Sequence, residues 1–123
     1  MTWPQYFPAS CPPQDARSEN IEVFRLIEES KAKKSDFLPT VIEFPHRKFD
    51  DACILCSVSV FVNIDEIKKR QARYSNLKSK KIAKGTIAET DGLILETLSA
   101  GHVSWWLKTD EPHRTFSEVT DGK

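Results

Sequence analysis

The longest apolar run in this chain, residues 54–62, contains two serines and falls well short of the roughly 18 to 20 apolar residues that a membrane-spanning helix needs. Extended with Cys53 and read with a period of two, it places Ile54, Cys56, Val58, Val60 and Val62 on one wholly apolar face. Cys53, Leu55, Ser57, Ser59 and Phe61 fall on the other. A strand over residues 53–62 is therefore expected, with its apolar face against a core. A chain of 123 residues is the size of one domain, so we expect a single core over residues 1–123.

The remaining elements follow from local pattern. Residues 21–27, Ile-Glu-Val-Phe-Arg-Leu-Ile, mix β-branched and aromatic side chains as a largely buried strand does, with Arg25 inside it. Ser35 followed by Asp36 reads as a helix cap, and Phe37, Leu38, Val41 and Ile42 recur at helical spacing, so a short helix is expected to end before Pro45. Asn63, with Glu66 three residues on, opens a second helix whose inner stripe is Ile64, Ile67, Gln71 and Tyr74. Strands are predicted over 81–87, over 93–98 after Asp91-Gly92, and over 102–108 after Ala100-Gly101, with 115–119 as a possible edge strand. The order β-α-β-α-β-β-β predicts an α+β fold: a mixed or mainly antiparallel sheet of about five to six strands with two main helices. Four of the seven prolines, interleaved with Trp3, Tyr6 and Phe7, predict an extended arm over the first 16 residues.

Charge is where this composition departs from the ordinary. The net charge is zero, yet residues 66–84 hold eight Lys/Arg and one acid, 8 − 1 = +7, which leaves −7 for the rest. Such segregation orients a molecule toward an anionic partner, whereas the same charges evenly mixed only solubilise it. The candidate contact residues are Lys68, Lys69, Arg70, Arg73, Lys78, Lys80, Lys81 and Lys84, with Tyr74 as an aromatic surface among them. On a strand, His102, Ser104, Trp106 and Lys108 share a face that stacks a base and meets a phosphate, or is simply a half-exposed sheet face. The partner expected is a nucleic acid or an acidic protein, reached from a non-catalytic module.

The three cysteines are an odd and sparse set, unlike a disulfide-stapled secreted domain, and the Pro-rich N-terminus lacks the basic n-region and apolar helix of a signal peptide. A cytoplasmic setting with packing cysteines is expected. Cys53 and Cys56 have C-x-x-C spacing, but an offset of three on a strand sends the thiols to opposite faces. Only a loop there would let His46, His102 or His113 complete a metal site, so no metal is expected. His102-Val103-Ser104 and His113-Arg114-Thr115 match the His-x-Ser/Thr signature of 2H phosphoesterases. That family keeps its two motifs on distant strands, whereas these lie 11 residues apart.

Cys11-Pro12-Pro13, Phe24-Arg25-Leu26, Asp36-Phe37, Ser59-Val60-Phe61, Ile82-Ala83-Lys84-Gly85 and Trp105-Trp106 together resemble a group of small uncharacterised bacterial proteins, over most of the chain. In that group Gly-Leu usually precedes Ser-Val-Phe and two adjacent histidines precede the Trp pair; Ser57-Val58 and His102-Val103 stand there instead. The resemblance implies a bacterial source and a folded domain. A strand arginine, Arg25, followed by a Ser-x-Ser strand, Ser57 and Ser59, and then a helix is similar in order to the Arg-Ser-Glu ADP-ribosyltransferases. That likeness implies an alternative: a nucleotide-handling enzyme using NAD, with Arg25, Ser57, Ser59 and His102 as its site. The family's Glu-x-Glu motif has no counterpart, since only Glu89 and Glu96 lie near.

Overall fold

A computed structural model of the chain describes residues 3–43, 52–97 and 99–119. Its elements are β1 (Ile21–Ile27), a 3-10 turn Lys34–Phe37, α1 (Thr40–Glu43), α2 (Ala52–Leu55), β2 (Val58–Phe61), α3 (Ile64–Arg73), a 3-10 turn Ser75–Leu77, β3 (Lys81–Ile87), a 3-10 turn Glu89–Asp91, β4 (Gly92–Glu96), β5 (His102–Leu107) and β6 (Ser117–Glu118). The fold is α+β, as expected. The six strands form one sheet in the order β4-β5-β2-β1-β3-β6 with every pairing antiparallel. Among the described residues no helix is long and apolar enough to cross a membrane.

Register divides the side chains between the two faces of the sheet. Val58 opposite Trp105 and Val60 opposite Val103 share one face with Val23, Ile27, Ala83, Ile87 and Ile94, and Ala32, Phe37 and Phe116 cover it. On the second face Trp106 is buried with Cys11, Cys56 and Leu95 beneath Trp3 and Phe7. The aromatic arm thus folds onto its own domain. It is a run of turns rather than an extended segment, because the carbonyls of Pro4, Pro8 and Pro13 each accept from the amide three residues on. Arg17 then bridges to Ile94 and closes the outer edge of β4.

Four expectations are corrected. The helix anticipated from Ser35 divides at Pro39: Leu38, which precedes the proline, is extended at φ −78° and ψ 136°, and α1 begins only at Thr40. The strand anticipated from Cys53 begins at Val58. Residues Ala52–Leu55 form one helical turn, closed when the Ser57 amide and hydroxyl both donate to the Ile54 carbonyl. Cys53 is not a packing thiol: it forms a disulfide with Cys11, 42 residues away, while Cys56 stays free and buried. The two main helices reduce to one long helix, α3, and single turns. At the start of β4, Gly92 has φ 142°, and a Cβ there would collide with the Trp106 carbonyl oxygen.

Candidate anion-binding surface and cleft

Helix α3 starts where Asn63 Oδ1 accepts the Asp65 amide at 2.7 Å. The Glu66 carboxylate turns to Lys69 at 3.7 Å. Ile67 is the buried anchor of the helix, and Gln71 Nε2 donates to the carbonyls of Leu77 at 3.2 Å and Lys80 at 2.7 Å. These two hydrogen bonds tie the segment that follows the helix, residues 77–80, back to α3.

The surface cations fall into two groups. Lys69 meets Glu66, Lys80 meets Glu28 at 2.8 Å, Lys84 meets Glu22 at 3.9 Å, and the Arg70 guanidinium lies 5.7 Å from the Tyr74 ring centroid. Lys80 bonded to Glu28 holds that carboxyl below its usual range. Lys68, Arg73, Lys78 and Lys81 are exposed and, among the described residues, pair with no acid. Tyr74, which follows Arg73 at the end of α3, is 44% exposed.

Trp106 does not belong to this surface. It is fully buried and its Nε1 donates to the Cys53 carbonyl at 2.9 Å. His102 is 2% exposed, with Nδ1 3.2 Å from both the carbonyl and the hydroxyl oxygen of Thr97, and Thr97 Oγ1 lies 2.7 Å from Ser104 Oγ. Burial pushes the His102 pKa below its usual value, the Thr97 carbonyl opposing and Arg70 adding to the effect. The face of His102, Ser104 and Trp106 is therefore interior, and the stacking surface expected there does not exist. His46 lies outside the described residues. Among those described, no three metal-ligating side chains come together.

Arg25 turns into the place where the sheet opens. β1 and β2 pair only at Phe24 and Phe61. Beyond that pair the guanidinium spans the gap, Nε donating to Asp36 O and Nη1 to Ser59 O, both at 2.6 Å, with its carbon 5.5 Å from the Phe37 ring centroid. Burial lowers its pKa to about 10, against the pull of Glu43 and Asp36, so it remains charged at neutral pH. Asp36 in turn accepts the amides of Glu28 and Lys33.

The same opening makes a cleft of about 620 Å³ between α3 and the Lys34–Phe37 turn. Arg25 and Ser59 line it; Ser57 and His102 do not. Ser57 is buried against Ile54. Ile67, Arg70 and Tyr74 line it from α3 and its C-cap, Phe61 from the end of β2, and Ser35, Leu38 and Thr40 from the segment before α1 and its start. The lining carries three acids, Glu28, Asp36 and Glu43, and three cations, Arg25, Arg70 and Lys80. Phe61, Arg70 and Tyr74 also border a second hollow of about 380 Å³, which Glu66, Lys69, Arg73 and Ser99 complete. Sequence reasoning found Arg25, Ser59, Arg70 and Tyr74 but not the cleft between them. The carboxylates that line it lie on segments whose approach depends on the unzipped β1–β2 ladder. Comparison with family models, curated proteins and solved structures gives no match to this chain.

Proposed function

We propose that the chain is a non-catalytic binding module that captures an anionic macromolecule on the outer face of α3 and the loop behind it. The observation that carries this reading is the group Lys68, Arg73, Lys78 and Lys81: exposed, close in sequence, and without an acid partner among the described residues. Such charges do little for folding and are free to exchange counterions for phosphates or carboxylates. The test is the triple variant Lys68→Glu, Arg73→Glu, Lys78→Glu on immobilised heparin. We expect it to elute at much lower salt than the parent while it remains folded, its melting temperature falling by several degrees at most, since exposed charges away from structural contacts shift stability by only about 0.5 kcal/mol each. Equal elution would exclude the surface.

A second reading, an NAD-handling enzyme, draws support from one observation: Arg25 and Ser59 both line the cleft. Ser57 and His102 weigh against it, being committed to Ile54 and Thr97 in the interior.

A further inference from the structure

We infer that the anionic partner is a single-stranded nucleic acid and that the cleft beside α3 receives one of its bases; this rests on the polyanion reading above and gives it a substrate class. Three observations lead here. First, the two hollows adjoin and share Phe61, Arg70 and Tyr74, so the half-exposed Tyr74 ring and the guanidinium beside it stand as a partition between two concave sites. An aromatic ring with an arginine beside it is a sequence-tolerant stacking platform for unpaired bases.

Second, charge is distributed as a strand requires. Inside the larger cleft the three carboxylates offset the three cations, so there is no net pull on a phosphate. A neutral base suits that interior, where the Ser35 and Thr40 hydroxyls and the Glu43 carboxylate offer donors and acceptors to its edge. The uncompensated cations do not line the larger cleft; they lie along α3, in the following loop and at the start of β3, where the backbone of the same strand would run.

Third, the dimensions fit. About 620 Å³ lies within the roughly 300–1,000 Å³ of small-ligand sites, which accommodates a base with its sugar. A duplex keeps its bases paired and stacked, and unpairing one costs a few kcal/mol, so it reaches the cations without filling the cleft.

The experiment is fluorescence anisotropy of the whole chain with labelled strands of about 12 nucleotides, oligo-dT and oligo-U in separate arms, and with a duplex of equal length. The strand is expected to bind about tenfold or more tighter than the duplex. Tyr74→Ala is expected to remove that margin and leave duplex binding unchanged, while Tyr74→Phe retains it. Lys68→Glu with Arg73→Glu should weaken strand and duplex alike. Whichever of the two strands binds tighter identifies DNA or RNA as the source. Tyr74 is exposed, and matched circular dichroism spectra confirm that its variants fold. Equal affinity for strand and duplex, or a silent Tyr74→Ala, overturns the inference and leaves the polyanion reading intact. Binding of neither overturns both.

Discussion

Opening the Cys11–Cys53 bridge is the perturbation whose size can be worked most directly from this fold. The bridge spans 42 residues of chain. In the chain-entropy treatment a loop of that length removes about 13 cal/mol/K from the unfolded ensemble, which is about 4 kcal/mol at 25 °C. A domain of this size has only about 5–15 kcal/mol of stability in total, so about a quarter or more of it is at stake. The arm that carries Cys11 is not otherwise loose: Trp3 and Phe7 stack at 5.6 Å and pack against Trp106, and Lys108 Nζ lies 4.9 Å from the Trp3 ring centroid. The native state should therefore survive reduction, leaving the unfolded chain as the state that changes. Urea unfolding followed by tryptophan fluorescence, with and without a phosphine reductant, measures the difference. With a slope of about 2 kcal/mol/M the midpoint should fall by about 2 M. Cys11→Ser should reproduce the reduced value without reductant. A midpoint shift under about 0.5 M in both experiments would refute the reasoning, since it would mean that the bridge adds no constraint beyond the aromatic packing.

Arg25→Met removes the side chain that donates to both Asp36 O and Ser59 O, and two part-buried carbonyls left short of a donor should cost about 2 kcal/mol net of the relieved desolvation. Arg25→Lys, with a single donor head, should fall between. Coincident urea midpoints for all three chains would remove the structural role. His102 predicts a pH dependence: its pKa lies lower in the folded than in the unfolded state, so the unfolded chain binds more protons and stability is lost as pH falls through the usual value of 6.5 toward the depressed one. Urea midpoints between about pH 5 and 8 should decline on the acid side for the parent and flatten in His102→Gln. An unchanged slope in the variant would assign the decline to other groups.

What could be read from the residues was whatever local pattern decides. β1 and β3 begin and end where alternation and β-branched side chains placed them, and Asn63 caps α3 because its side chain reaches the amide two residues on. Errors arose where distant parts of the chain intervened. Residues 53–57 alternate like the strand that follows, but the disulfide, the Trp106 indole and the Ser57 hydroxyl gather them into a helical turn. His102 and Ser104 look like an exposed polar face until Thr97, five and seven residues before them, satisfies both side chains in the interior. Pro39 marks the break in the sequence, but the helical spacing of Phe37, Leu38, Val41 and Ile42 runs across it and conceals it. The cleft had no sequence signal beyond Arg25, an arginine in a buried strand that had to find acceptors.

The charges on α3 also bear on why they are there. The C-terminus of a helix attracts cations, so Arg70 and Arg73 in the last turn ease the macrodipole and need no partner to explain them. That account stops at the helix. Lys78 and Lys81 lie beyond it, exposed and unpaired among the described residues, and Lys69 and Arg73 stand four apart on one face, where like charges cost a few tenths of a kcal/mol. A surface selected for stability alone would place acids among these positions, as Glu66 does for Lys69. The second face of the sheet points the same way. Its β4–β5 end is closed by the disulfide-held arm, and near β1 and β2 it carries α3 over the open cleft. The end that is sealed has its polar groups satisfied internally. The end that is open carries the excess charge and the exposed tyrosine, an arrangement that folding alone does not require and that binding an unpaired strand would use.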